Sequence, residues 1–143
     1  MSTIRELQDR AYRQSANKGF HDNEPTEGRA LQSLNAERIA LMHSELSEAL
    51  EELRGGRAVY ATYYPHHKPG CAVSDWRLFA ASPEVPQPNC TCTPKPEGVP
   101  SELADVVIRV LDFCGANGID LEAILTEKLD YNATRGHKHG KEF

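Results

Sequence analysis

Eight of the nine prolines fall between residues 57 and 100, at Pro65, Pro69, Pro83, Pro86, Pro88, Pro94, Pro96 and Pro100. Proline has no backbone N–H and its ring collides with the preceding helical turn, so no regular helix crosses that stretch. The flanks are almost free of proline, and there the apolar residues recur at helical spacing. Thr3 followed by Glu6 forms a capping-box pattern ahead of Ile4, Leu7 and Ala11, which predicts a short helix ending near Ser15. Gly19, Asn23 and Pro25 then break the chain into a loop in which Phe20 offers an anchor. A long helix is expected from about Glu27 to Arg54, closed by Gly55-Gly56, with Ile39, Met42, Leu46, Ala49, Leu50 and Leu53 as its core stripe. Beyond the prolines, Ser101 reads as an N-cap for a helix to about Gly115 carrying Leu103, Val106, Val107, Val110, Phe113 and Cys114 inward. Asp120 caps a further helix to about Ala133, with Leu121, Ile124, Leu125 and Leu129 facing the core. Val59 to Tyr64 has the composition of a short strand but fits better as part of the irregular excursion. The expectation is an all-α fold of about four helices, one domain over residues 1–143, with a Pro/Cys-rich irregular insertion at about 57–100.

Composition narrows the function. The chain has 21 acidic against 16 Lys and Arg residues, a net charge of −5, which argues against nonspecific binding to nucleic acid or to a membrane surface. No apolar run approaches the roughly 20 residues that cross a bilayer. The opening Met-Ser-Thr-Ile-Arg-Glu lacks the basic and apolar regions of a signal peptide, so the cytoplasm is the expected compartment. A chain this acidic needs a cation if it is to handle phosphates.

Acid pairs stand on two of the helices. Glu45-Leu46-Ser47-Glu48 and Glu102-Leu103-Ala104-Asp105 each put two carboxylates on one side of a helix, at the margin of its apolar stripe. One such pair alone is usually a solvated face, here with Arg54 or Arg109 as salt-bridge partner. Two pairs that converge would repel one another unless neutralised, and hard carboxylate oxygens suit Mg²⁺ or Mn²⁺. Glu51, Glu52 and Asp112 read as surface or supporting residues. Lys128, Asn132 and Arg135 share one face near the end of the last helix, a spacing equally compatible with a basic cap on its dipole.

The paired acids, together with Asn17-x-Gly19-Phe20, His43-Ser44-Glu45-Leu46-Ser47-Glu48-Ala49, Glu102 to Arg109, Gly118-Ile119-Asp120-Leu121 and Lys128-x-x-Tyr131-Asn132-x-x-Arg135-x-x-Lys138-His139-Gly140-Lys141, resemble the MazG-like group of all-α nucleoside triphosphate pyrophosphohydrolases, especially small phage-encoded members. The resemblance covers most of the chain outside the insertion. It implies Mg²⁺-dependent hydrolysis of a nucleoside triphosphate, ribo- or deoxyribo-, to the monophosphate and pyrophosphate. It implies metal binding by Glu45, Glu48, Glu102 and Asp105, with Glu48, and Glu45 beside it, as the carboxylates that act on the attacking water. It further implies phosphate binding by Lys128, Asn132 and Arg135, with Lys138 and Lys18 adding charge, Phe20 as a wall for base or sugar, and a homodimer or homotetramer in a host cytoplasm. The other reading of the same residues is a non-catalytic nucleotide- or metal-binding sensor or interaction protein; four carboxylates and a basic tail favour turnover.

The insertion is where the chain departs from that pattern. His66-His67-x-x-x-Cys71 with Cys90-x-Cys92 supplies groups that could close a Zn²⁺ site through His67, Cys71, Cys90 and Cys92. The same cysteines read as independent thiols, since the Cys-x-Cys gap is shorter than zinc sites use. Trp76 and the tyrosines at 60–64 are candidates to pack the loop over substrate or a neighbouring subunit. Cys114 stands apart as a small core residue.

Overall fold

The computed structural model describes residues 2–64 and 95–136. His66, His67, Cys71, Trp76, Cys90, Cys92, His137, Lys138 and His139 lie outside the described residues, and with them the whole zinc reading. The described residues form four helices and no strand: α1 (Ile4–Asn17), α2 (Gly28–Arg54), α3 (Val99–Ala116) and α4 (Leu121–Ala133). The all-α expectation therefore holds. Val59 to Tyr64 makes no strand; a single antiparallel bridge pairs Tyr63 with Glu97. The chain gathers into two compact units, residues 1–38 with 108–143, and residues 39–107.

In the first unit the capping box closes as read: the Glu6 amide donates to Thr3 Oγ1 at 3.1 Å and the Thr3 amide to Glu6 Oε2 at 2.9 Å. Asp120 caps α4 by accepting from the Ala123 amide at 3.1 Å. Helix α1 packs on α4, with Arg5 pairing to Asp120 at 2.6 Å and Gln8 donating to the Ile119 carbonyl at 2.8 Å. Ala11, Leu111 and Cys114 are buried here, and Gly115 lets α3 approach Tyr12 so closely that a Cβ would stand 2.6 Å from the tyrosine's own Cβ. The loop after α1 is held through His21. Its Nε2 meets Asp112 at 2.8 Å, and its Nδ1 lies 3.0 Å from Glu24 and 2.7 Å from Arg38, which itself pairs with Glu24.

Among the described residues of the second unit, Glu45, Ala49, Gly98, Val99, Ser101 and Glu102 are buried. Helix α3 starts two residues earlier than its sequence suggests. Pro100 sits inside the first turn, where a missing N–H breaks no helical bond, and Ser101 is not the cap. The Ser101 hydroxyl instead donates to the Pro96 carbonyl at 2.8 Å, tying the approach segment to the helix.

The apolar stripes are correct in position but not in burial. Of the α2 stripe only Ala49 is buried, while Ile39, Leu46, Leu50 and Leu53 are exposed. Leu103 and Val107 on α3 and Ile124, Leu125 and Leu129 on α4 are exposed as well. A helical stripe records which face is built to be covered, and within one chain these larger side chains are not.

A candidate metal centre

Three of the four acids come together in the second unit. One carboxylate oxygen each from Glu45 and Glu48 on α2 and from Glu102 on α3 lie within 4.8 Å of one another. Helical spacing explains the α2 pair: residues three apart project to the same side one turn apart. Glu102 enters from the first turn of α3, a position the preceding segment fixes. Tyr63 and Glu97 exchange two backbone hydrogen bonds of 3.1 and 2.8 Å, and Gly98 follows at φ +103°, its α-carbon pressed against the Ala61 carbonyl where a Cβ would come within 2.4 Å. Only glycine fits that turn and that approach.

Glu45 and Glu102 are buried, at 6% and 3% exposure, whereas Glu48 faces solvent. Glu102 Oε2 is enclosed and makes no hydrogen bond. Burial pushes the Glu102 carboxyl above its ordinary range; Lys95 draws it back down, and Glu48, Glu97 and Asp105 add to the rise. A buried carboxylate oxygen without a donor beside two further acids is an unfavourable arrangement for the chain alone. A divalent cation bound by oxygen ligands removes both problems, and this donor set is of the hard kind that Mg²⁺ and Mn²⁺ take. Asp105, half-buried one turn along α3, acts on Glu102 electrostatically but is not one of the three converging acids.

A second polar network in this unit, which no local spacing announces, joins Glu52 near the end of α2 to the segment that follows. The Tyr63 hydroxyl donates to Glu52 Oε1 at 3.0 Å, Arg57 pairs with Glu52 Oε2 at 2.7 Å, and the Arg57 guanidinium lies 3.9 Å from the centre of the Tyr63 ring. Burial first, then the bond to Glu52, raises the Tyr63 phenol above its usual value. Glu52 shares its helical side with Glu45 and Glu48, yet these partners engage it in support of the turn after α2. Glu51 makes an exposed pair with Arg54.

The basic candidates belong to the first unit. Lys128 Nζ sits 5.3 Å from the Tyr131 ring centre, Asn132 is half-buried, and Arg135 is exposed just past the end of α4. Lys18 is the exposed C-cap of α1, and Phe20 is 71% exposed rather than anchored. Asp112, read as a supporting residue, accepts from Ser15 and from His21. Comparison with protein-family models, curated proteins and solved structures finds no match to this chain.

Proposed function

We propose that the chain is a Mg²⁺-dependent nucleoside triphosphate pyrophosphohydrolase that cleaves a triphosphate between the α and β phosphates, releasing a nucleoside monophosphate and pyrophosphate. The observation that carries this reading is the convergence of Glu45, Glu48 and Glu102 around an enclosed, donorless Glu102 oxygen. The resemblance of the surrounding segments to the MazG-like group supplies the reaction.

In this reading Glu45, Glu48 and Glu102 hold the metal, with Asp105 reinforcing the negative field one turn away. Bound Mg²⁺ supplies charge neutralisation to the phosphates and lowers the pKa of water at the site. Glu45 and Glu102, both buried, are fixed in place by their helices. Glu48 is the acid of the three that solvent reaches, so it is the one that orients the attacking water and accepts its proton. Lys128, Asn132 and Arg135 bind the polyphosphate, Lys18 and Lys138 add charge, and Phe20 lies against base or sugar. The chain works as a homodimer or homotetramer in the cytoplasm.

The test is pyrophosphate release with Mg²⁺ from a panel of ribo- and deoxyribonucleoside triphosphates, with Glu48→Gln and Glu102→Gln alongside. Release abolished in both variants supports the reading and ranks the substrates. Binding of Mn²⁺ without release from any triphosphate replaces it with a nucleotide or metal sensor.

A further inference from the structure

The metal reading leaves an imbalance of charge. Three carboxylates outweigh one divalent ion, and the incoming triphosphate adds several more negative charges, so cations beyond the metal favour its binding. Lys18, Lys128 and Arg135, assigned above to the polyphosphate, all belong to the first unit. In the second unit Lys95 is such a cation. It stands two residues before Glu97, whose backbone is locked to Tyr63, and one before Pro96, whose carbonyl holds Ser101; its backbone is thereby pinned beside the first turn of α3, which carries Glu102. Its ammonium rests on Glu97, 3.0 Å from Oε1 and 3.1 Å from Oε2, with the side chain more than half exposed. The same ammonium acts through space on both Glu102 and Asp105. An ion pair this exposed contributes little to stability, so Lys95 can leave Glu97 for a better anion at small cost.

We infer that Lys95 is a substrate-contacting residue, which swings from Glu97 onto the polyphosphate oxygens of a metal-bound triphosphate. The inference rests on the metal-centre reading above and adds a residue from the stem of the insertion, outside the segments that carry the family resemblance. Glu97 serves as its resting partner and keeps the ammonium from settling on Glu102 and competing with the metal.

The full chain, Lys95→Met and Lys95→Arg are titrated calorimetrically with Mn²⁺ alone, and then, loaded with Mn²⁺, with inorganic tripolyphosphate. Lys95→Met is expected to bind Mn²⁺ as tightly as the parent or up to about threefold tighter, having lost a nearby positive charge, and to bind tripolyphosphate about tenfold more weakly. Lys95→Arg is expected to restore tripolyphosphate binding to within about threefold, because the charge is kept. Where triphosphate turnover is measured, the Met variant raises KM by a similar factor with kcat changed less. Equal tripolyphosphate affinity in parent and Lys95→Met overturns the assignment and leaves the metal centre standing, as does Mn²⁺ binding by a parent that takes no tripolyphosphate. A parent that binds no Mn²⁺ overturns the metal centre and the role of Lys95 together. Matching melting temperatures for the three proteins exclude a folding origin for any difference.

Discussion

Glu102 is the residue on which stability and function pull in opposite directions. Its carboxyl titrates above the ordinary 4.5 in the folded chain, chiefly because it is buried, so the folded state holds the proton more tightly than the unfolded state. In the metal-free protein this group's contribution is most favourable below that ordinary value, and it is lost as pH rises through the higher folded value. Melting temperatures in chelator from about pH 4 to about pH 8 should therefore fall less steeply for Glu102→Gln than for the parent, the variant being relatively the more stable at the upper end. Under the metal-centre proposal saturating Mn²⁺ should reverse that order, since an ion held by the folded parent stabilises it by mass action. A variant whose profile runs parallel to the parent's in chelator would show that burial of this carboxylate is not a strain on the fold. The acids themselves were legible in the sequence because i,i+3 spacing is a local rule and each pair borders an apolar stripe. Lys95, Glu97 and Tyr63 were not: what matters about them is a bridge between residues 34 apart in the chain, which no periodicity encodes.

The elements follow the sequence closely wherever a local signal sets them. Thr3 with Glu6, Gly55-Gly56 and Asp120 mark helix ends that the chain adopts, each through a hydrogen bond or turn a few residues long. The start of α3 is not set by a single local signal, because Pro96, Gly98 and Ser101 act together there: the serine that resembles a cap bonds backward to the Pro96 carbonyl, and the Gly98 carbonyl accepts from the Ser101 and Glu102 amides. How elements meet depends on contacts that only the fold brings together. Gly115→Ala is expected to destabilise the chain by about 1–3 kcal/mol, because the new methyl must displace the Tyr12 Cβ, a position fixed by the α1 backbone. Chemical denaturation would show it as a lower midpoint with an unchanged slope. His21→Leu should cost about 1–3 kcal/mol as well, by stripping Asp112 and Glu24 of the ring between them, while Phe20→Ala, at an exposed neighbour, should change stability by no more than about 0.5 kcal/mol. Equal effects from the two substitutions would mean that the loop after α1 is not fastened through its histidine.

For the whole molecule, the decisive fact is how little large apolar surface is covered among the described residues. No large side chain is completely buried among the described residues, while Ile39, Leu46, Leu50, Leu53, Leu103, Val107, Ile124, Leu125 and Leu129 all remain exposed at helical spacing. Isolated exposed leucines are common on protein surfaces, but stripes of them on successive turns mark a face that another surface covers. Each such side chain, once buried, contributes about 1.5–3 kcal/mol, so a few of them suffice to hold two copies together against the entropy of association. In light scattering after size exclusion the chain should therefore run at a multiple of its 15.9 kDa mass. Leu50→Arg provides the discriminating case. On a surface that stays in water this change should alter stability by no more than about 0.5 kcal/mol. At an interface it places a charge in an apolar contact and should shift the population to monomer at micromolar concentration, with a matching fall in melting temperature. A parent that is monomeric at that concentration, or a Leu50→Arg variant with unchanged mass, would mean that a second copy does not cover the α2 stripe.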